Sequence, residues 1–529
     1  MKLQREHFLL FLIFSSFFIL YLHLFRLQVI EAKKYSAFSF GIFANLDFKK
    51  ESRGEVLFAG GEPLAVNREI FEAILLPEKI KDKEKILKIL VEIFGFEKEK
   101  EILEKLTKNE KFSLEIEDEK ILEKIKTLNE EGIFFTKKQK RVYPQKELAF
   151  QVIGFLGGEK KGQYGIEEFY EKELSEGKNL TLTLDFEIQF TAEKILEKEK
   201  ERLNFERGGI LVMDPQDGKI LAMAVYPKAD PNNYKQYAKN LQIFKNFFTQ
   251  EIYEPGSIFK PVTMAIGLEE GKITPETTYR DPGEIKIGGW VIKNYEERKY
   301  PGEISMTEVL EKSINTGAVF VQQKIPKKIH LEYLKKFGVF EKTNIDLPEI
   351  VASNSEIKKM RDITFATISF GQGIALTPIQ LARIFSALIN GGKLVTPHLN
   401  QNLKVEKSPQ VISKETSEKL QKMLVSVVEN GFAKRAKIPG YFIGGKTGTA
   451  LQPAFGQKGY SQKTWQSFVG FFPAFSPKYL ILVKLDDPKT KTAEYSAVPI
   501  FKEMADFIIK IKQIPPDYPL PETSNENLK

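Results

Sequence analysis

Residues 8–25 form an almost unbroken apolar run, interrupted only by Ser15, Ser16 and His23. A helix over that run spans roughly 27 Å, close to the hydrocarbon thickness of a bilayer. Lys2 and Arg5 precede it, on the side where positive charge is retained in the cytoplasm, although Arg26 follows it. A cleaved signal peptide would have a shorter apolar region and small residues at an A-x-A-like site. Arg26-Leu27-Gln28-Val29-Ile30 follows instead, which predicts an uncleaved transmembrane anchor behind a short cytoplasmic tail, residues 1–7. No later stretch is long and apolar enough to span. The remaining ~500 residues are therefore expected on one side, outside the membrane.

Composition narrows the chemistry. The chain has no cysteine, which excludes disulfides, thiolate metal sites and cysteine nucleophiles. Its net charge of +8 comes from 79 basic and 71 acidic residues, with lysines alternating with glutamates rather than forming a basic stripe. Nucleic-acid binding is accordingly not expected.

Residues 26–180 read as a non-catalytic domain. Within them, 79–131 is dense in Lys and Glu, with Ile86, Leu87, Ile89, Leu90 and Ile93 at helical spacing. That pattern predicts amphipathic helices with solvated outer faces. The second domain, 181–514, opens with a predicted helix over 185–203 and two predicted strands, 209–214 and 219–226. Pro215-Gln216-Asp217-Gly218 between the strands has the residues of a hairpin turn. Three further strands are predicted at 444–451, 467–473 and 479–485, then an amphipathic helix over 500–511. Strands at both ends of a helical middle predict an α+β domain whose antiparallel sheet unites distant parts of the chain. Residues 515–529 are Pro-rich and polar, and are expected to be disordered.

A Ser-His-Asp mechanism needs a histidine base. Only four histidines exist: His7 and His23 lie in or beside the apolar run, His330 follows Pro-Lys-Lys, and His398 sits in an expected loop. No H-E-x-x-H cluster offers a zinc site. A serine activated here would take its proton acceptor from lysine. The pattern S-x-x-K occurs three times, at Ser175, Ser257 and Ser355. Only Ser257-Ile258-Phe259-Lys260 opens an apolar helical run, behind the turn Glu254-Pro255-Gly256. Ser and Lys three apart share a helix face. A buried lysine loses hydration and its pKa falls, which leaves a neutral amine able to accept the serine proton.

Two later patterns follow in order. Ser313-Ile314-Asn315 supplies a hydroxyl and an amide two residues apart, and Lys446-Thr447-Gly448-Thr449 lies in a predicted strand. Residues 440–447 also satisfy G-x-x-x-x-G-K-[ST]. A phosphate loop needs a helix after it, however, and Gly448-Thr449-Ala450-Leu451-Gln452-Pro453 is short and ends in proline.

With S-x-x-K, S-x-N and K-T-G in this order, the chain resembles the class B penicillin-binding proteins, which are cell-wall D,D-transpeptidases. Further blocks carrying the resemblance are Arg141-Val142-Tyr143-Pro144, Gly162-Gln163-Tyr164-Gly165-Ile166-Glu167, Gly218-Lys219-Ile220-Leu221-Ala222-Met223, Phe370-Gly371-Gln372-Gly373 and Thr377-Pro378-Ile379-Gln380-Leu381. The resemblance implies an elongated pedestal of dimerisation type ahead of a transpeptidase domain. That domain would hold a five-stranded antiparallel sheet flanked by helices, with an all-helical part. It implies that Ser257 attacks the penultimate D-alanine of a stem pentapeptide, with Lys260 as base. Ser313 and Asn315 would relay protons and position the peptide. Lys446 would add positive potential, Thr447 and Thr449 would bind the carboxylate, and Gly448 lies between them. The N–H groups of Ser257 and Thr449 would form the oxyanion hole. No metal or organic cofactor is implied. The implied partners are peptidoglycan stem peptides, β-lactams as inhibitors, a membrane-embedded glycosyltransferase and division proteins. The implied place is the bacterial plasma membrane, with a single pass and an extracytoplasmic catalytic domain.

Arg53-Gly54-Glu55-Val56 usually continues into Asp-Arg-Asn-Gly in this family, whereas Phe58-Ala59-Gly60-Gly61 stands here. Glu254-Pro255-Gly256-Ser257, Ser369-Phe370-Gly371-Gln372-Gly373 and Val498-Pro499-Ile500-Phe501 are more similar to the septal than to the elongation branch. The rival readings are a β-lactam hydrolase or sensor on the same fold, and an inactive scaffold. The sequence shows no additional base motif for the first, and the three intact motifs argue against the second.

Overall fold

The structure, a computed structural model, describes residues 2–26, 28, 52–405, 408–454 and 459–519. Lys2–Phe25 is one α-helix, and Phe8, Phe11, Phe14 and Phe18 along it are exposed. Among the described residues no helix is long and apolar enough to cross a membrane. The side chains of Leu9 and Leu10, inside the apolar run, lie outside that set. The sequence thus predicts a span where the structure establishes a helix.

The chain divides into two compact units. The smaller comprises Met1–Arg53, Asn67–Val142 and Ser175–Gly177. Its helices Lys83–Phe94, Glu99–Thr107 and Glu119–Lys126 bury Ile86, Leu90, Ile102, Leu106, Leu122 and Ile125 in one core. Asp82 and Asp118 start two of these helices by accepting from Lys85 N at 3.0 Å and Lys120 N at 2.8 Å. The helical reading of 79–131 omitted one strand, Phe112–Ile116, which pairs antiparallel with residues 71–75. Its Phe112, Leu114 and Ile116 point inward while Ser113 and Glu115 face solvent, a period of two inside a helix-rich stretch.

The larger unit comprises Gly54–Val66, Tyr143–Leu174 and Lys178–Lys529. Its sheet has strands β1 (Arg207–Met213), β2 (Ile220–Tyr226), β3 (Gly444–Pro453), β4 (Tyr460–Phe472) and β5 (Tyr479–Asp486). The spatial order is β3-β4-β5-β1-β2, antiparallel throughout, with Val212 opposite Ile481 where the two ends of the domain meet. Residues Leu480 to Leu485 of β5 are buried in succession, and successive strand residues point to opposite faces, so both faces are covered. The framing helices are α1 (Phe186–Leu203), α2 (Lys260–Glu269), α3 (Asn315–Lys324), α4 (Asp362–Ile368), α5 (Pro378–Ile389), α6 (Lys414–Glu429) and α7 (Ala497–Ile511). α1 and α7 pack on each other and on the sheet, while α6 contacts β3, α2 and α5. The result is the expected α+β architecture.

Local chemistry explains the element ends. Asp185 caps α1 by accepting from Ile188 N at 3.1 Å, and Thr377 and Gln380 form a capping box at α5 with Pro378 in its first turn. In the β1–β2 turn Gly218 takes φ +87°, and a Cβ there would lie 2.3 Å from Thr396 O. Phe58-Ala59-Gly60-Gly61, the departure from the family pattern, closes a tight turn. Phe58 N donates to Glu62 O at 2.9 Å, Gly61 N donates to Phe58 O at 3.0 Å, and the Phe58 ring is buried edge-on against Phe186. The expected disorder of 515–529 does not extend to its first residues. Asp517 N donates to Gly440 O and Phe442 N to the Asp517 carboxylate, each at 2.8 Å, and the Tyr518 and Phe442 rings pack together. Proline-rich composition argues against regular structure, not against being pinned to a neighbour. Residues 520–529 lie outside the described residues.

Candidate active site

Ser257 does not lie inside the helix, as its sequence context predicts, but in a 3₁₀ turn, Gly256–Phe259, just before Lys260 opens α2. In 3₁₀ geometry residues three apart eclipse. Lys260 Nζ therefore stands 2.9 Å from Ser257 Oγ. Every residue of α2 from Lys260 to Leu268 is buried. The other two S-x-x-K pairs, Ser175 with Lys178 and Ser355 with Lys358, are exposed at both positions.

Burial sets the chemistry of Lys260. Its side chain is inaccessible, and desolvation, followed by the charge of Lys446, holds its pKa well below the ordinary lysine value. Besides Ser257, Lys260 Nζ meets Ser313 O at 2.6 Å and Ser313 Oγ at 3.1 Å. As a neutral amine it donates to the carbonyl while its lone pair accepts from the Ser257 hydroxyl.

Ser313 lies between helix Met306–Glu311 and α3, with φ +53°. For a non-glycine residue that conformation costs on the order of 1 kcal/mol. It directs both the carbonyl and the hydroxyl of Ser313 at Lys260. Lys446 reaches the same hydroxyl from β3, with Nζ 3.0 Å from Ser313 Oγ. Burial pushes the Lys446 pKa down to about 7. One hydroxyl thus bridges two dry lysines that cannot both carry charge cheaply. Burial lowers the pKa of both, and at Lys260 the charge of Lys446 lowers it further.

The remaining predicted residues divide. Asn315 Nδ2 donates to Lys293 O at 2.9 Å, and among the described residues its side chain makes no bond to Ser257, Lys260, Ser313 or Lys446. Thr447 is buried, and half-buried Thr449 accepts at Oγ1 from Ala493 N at 3.2 Å. A Cβ on Gly448 would come 2.9 Å from Pro255 O, and one on Gly256 3.1 Å from Ala450 Cβ. The K-T-G strand and the serine turn therefore touch with no room for a side chain. Among the described residues β3 is an edge strand, hydrogen-bonded to β4 alone. On the other side of the turn, Gly256 N donates to Gly371 O at 3.0 Å, and Thr263 Oγ1 to Ser369 O at 2.9 Å. The Phe370-Gly371-Gln372-Gly373 block is thus the backing of the turn that carries Ser257.

Lys446 continues into a strand that runs to Pro453, so residues 440–447 do not form a phosphate loop. His330 is buried on a helix, its ring edge-on to Phe365, and burial lowers its pKa to about 4. His398 is buried with Nδ1 3.0 Å from Thr396 O. Among the described residues neither bonds to Ser257, Lys260 or Ser313.

Sequence reasoning missed Asp281, Asn294 and Thr316, a buried polar group beside Asn315. No motif spacing pointed to them, since they converge from separate segments.

Residues 208–506 match the penicillin binding protein transpeptidase domain family, and residues 49–182 match the penicillin-binding protein dimerisation domain family. The chain is 31% identical over 466 residues to a peptidoglycan D,D-transpeptidase FtsI homolog of Mesostigma viride, covering 76% of this chain and 77% of that one. It is also 31% identical over 498 residues to stage V sporulation protein D of Bacillus subtilis, covering 84% and 75%. Penicillin binding protein 3 of Mycobacterium tuberculosis superposes with a TM-score of 0.69 over 89% of this chain and 98% of that one, at 23% identity, a likeness of fold. Matched in both domains and by relatives along most of its length, the chain belongs to the class B penicillin-binding proteins and is a peptidoglycan D,D-transpeptidase.

Proposed function

We propose that this chain crosslinks peptidoglycan by serine acyl transfer through Ser257. The carrying observation is the 2.9 Å contact between Ser257 Oγ and the buried amine of Lys260. Lys260 takes the hydroxyl proton as Oγ attacks the carbonyl of the penultimate D-alanine. The oxyanion is held by the N–H groups of Ser257 and Thr449, a preorganised pair of donors. Collapse breaks the C–N bond, and a proton passed through Ser313 leaves with the terminal D-alanine. The acyl-enzyme is then resolved by the amine of a neighbouring stem. That amine loses its proton to the same relay and forms the crosslink. Asn315 faces the peptide backbone, and Lys446, Thr447 and Thr449 bind the terminal carboxylate. The free edge of β3 takes the stem as an added strand.

Residues 8–25, within the helix Lys2–Phe25, are the proposed single-pass anchor, supported by their apolar sequence, with residues 26–180 as pedestal and 181–514 as the catalytic domain outside the plasma membrane. Likeness to FtsI homologues and the Glu254-Pro255-Gly256-Ser257 block support septal wall synthesis beside a membrane-embedded glycosyltransferase and division proteins. β-Lactams are the proposed inhibitors, acylating the same serine. Mass spectrometry after incubation with a penicillin tests the assignment. One stoichiometric adduct is expected on the peptide containing Ser257, and none in Ser257→Ala. An adduct elsewhere, or none on folded wild type, refutes it.

A further inference from the structure

Helix α3 carries Asn315 at its first position and follows directly on Ser313, yet it has no cap from its own sequence. Ile314 stands at the cap position with no side-chain hydrogen bond. The first N–H groups of a helix need acceptors. Here they find one in Asn294, from a separate segment that follows the hairpin of strands Glu284–Ile287 and Trp290–Lys293. Asn294 Oδ1 accepts from both Asn315 N and Thr316 N, each at 3.0 Å. Its Nδ2 donates to the two carboxylate oxygens of Asp281 at 3.1 and 3.0 Å and to Arg298 O at 3.0 Å.

Asp281 is in turn surrounded by donors. It accepts from Gly283 N at 3.0 Å, Tyr300 N at 2.9 Å and Thr316 Oγ1 at 2.6 Å, besides Asn294. Asp281 and Asn294 are each 4% exposed, so these bonds do not compete with bulk water. Burial alone would raise the Asp281 carboxyl, but the bonds from Thr316, Gly283, Tyr300 and Asn294 outweigh it and hold it below the ordinary range. An ionised carboxylate therefore fixes the Asn294 amide in one orientation, oxygen toward α3.

We propose that Asp281 and Asn294 are the positioning pair of the S-x-N motif. They supply the missing cap of α3 from a distance and so hold Ser313 in its left-handed conformation between Lys260 and Lys446. They touch neither the serine nor the lysines. They act through the first turn of α3, whose start sets where the Ser313 carbonyl and hydroxyl point. Asn294 also places the adjoining Lys293 carbonyl that receives the Asn315 side chain. The inference rests on the assignment of Ser257, Lys260 and Ser313 as the reacting group.

Asn294→Asp tests it. The substitution keeps an acceptor for the two N–H groups but sets a second carboxylate against Asp281. Two carboxylates in contact hold one proton between them at acid pH and repel once both ionise. The other titratable or charged groups around the pair are Tyr279, whose hydroxyl is 3.2 Å from Thr316 Oγ1, Tyr300, Arg298 turned to Glu296, and Lys293 paired with Glu297. All ordinarily titrate outside pH 5–8. The readout is the second-order rate constant for penicillin acylation of the full chain, taken as the ratio of variant to wild type at each pH, which cancels titration of Lys260 and Lys446. The ratio is expected to fall on the order of 10- to 100-fold below one at pH 8, the scale of an ångström-level misplacement, and to recover toward one at pH 5.

A ratio that stays near one, or a loss that does not depend on pH, overturns the proposal. The exchange variant Asp281→Asn with Asn294→Asp restores a carboxylate–amide pair in swapped order. It is expected to acylate at least about 10-fold faster than Asn294→Asp at pH 8. Should the single variant not fold at that pH, the exchange variant decides alone. Acylation within about 10-fold of wild type supports the pair, and a slower rate overturns it. A wild type that forms no adduct at Ser257 would instead refute the underlying assignment.

Discussion

Replacing Lys446 with glutamine removes a positive charge from the far side of the Ser313 hydroxyl. Lys260 Nζ and Lys446 Nζ lie 3.1 and 3.0 Å from that oxygen. The two nitrogens are therefore no more than about 6 Å apart by the triangle rule. At about 5 Å and an effective dielectric constant near 20, two unit charges repel by ~3 kcal/mol, about two pKa units. The Lys446 charge is one of the two causes that depress Lys260, after desolvation. The sign follows directly. Only neutral Lys260 accepts the Ser257 proton, so acylation rises with pH through the Lys260 pKa. In wild type it falls again as Lys446 loses its proton near pH 7. In Lys446→Gln the rising limb moves up by about 1–2 pH units and the falling limb disappears. The assay is the pH profile of acylation by a chromogenic β-lactam. Lost carboxylate binding lowers the whole profile, so the midpoint, not the height, is diagnostic. A rising limb that stays in place would refute the claim that Lys446 tunes the base.

Two further perturbations probe the scaffold. In Gly371→Ala the new Cβ would lie 2.0 Å from Gly256 O at a residue with φ +81°. A loss of at least about 2 kcal/mol in stability is expected by thermal melting, together with slower acylation, since the contact backs the serine turn. Unchanged acylation would show that the turn holds itself. His330 is buried and among the described residues has no hydrogen-bond partner on either ring nitrogen, and its pKa falls from 6.5 to about 4. The unfolded chain then binds more protons between those values, so stability is lost as pH falls from about 6.5 toward 4, by up to ~3 kcal/mol. His330→Leu is expected to melt like wild type at pH 8 and higher than wild type at pH 4.5. Parallel melting curves at both pH values would remove His330 from the acid sensitivity.

The strands and helices of the catalytic domain were legible because each is a local pattern. Asp185, Thr377 and Gly218 sit where caps and turns need them, and the predicted strands at 209–214 and 479–485 are those that pair across the two ends of the domain. The strand Phe112–Ile116 was not, because its alternation is only five residues long and flanked by stronger helical periodicity. In the site, Ser257, Lys260, Ser313 and Lys446 were legible as motifs and converge in one hydrogen-bonded group. Asp281, Asn294 and Thr316 were not, because a helix cap supplied from another segment leaves no spacing to read.

The sequence by itself singled out Ser257 among three serines with the same spacing to a lysine, through the apolar run behind it and the two motifs that follow. It also determined the α+β class, through periodicities that are properties of single elements. Only the tertiary structure decided that the Lys260 amine is buried and its pKa lowered. The shift arises because α2 is dry on every side and Lys446 arrives from a strand at the other end of the domain. Burial and through-space charge depend on what the fold brings near, and neither is written in any one segment. The left-handed Ser313 and the distant cap on α3 belong to the same category, because each is held by partners that meet only when the chain is folded.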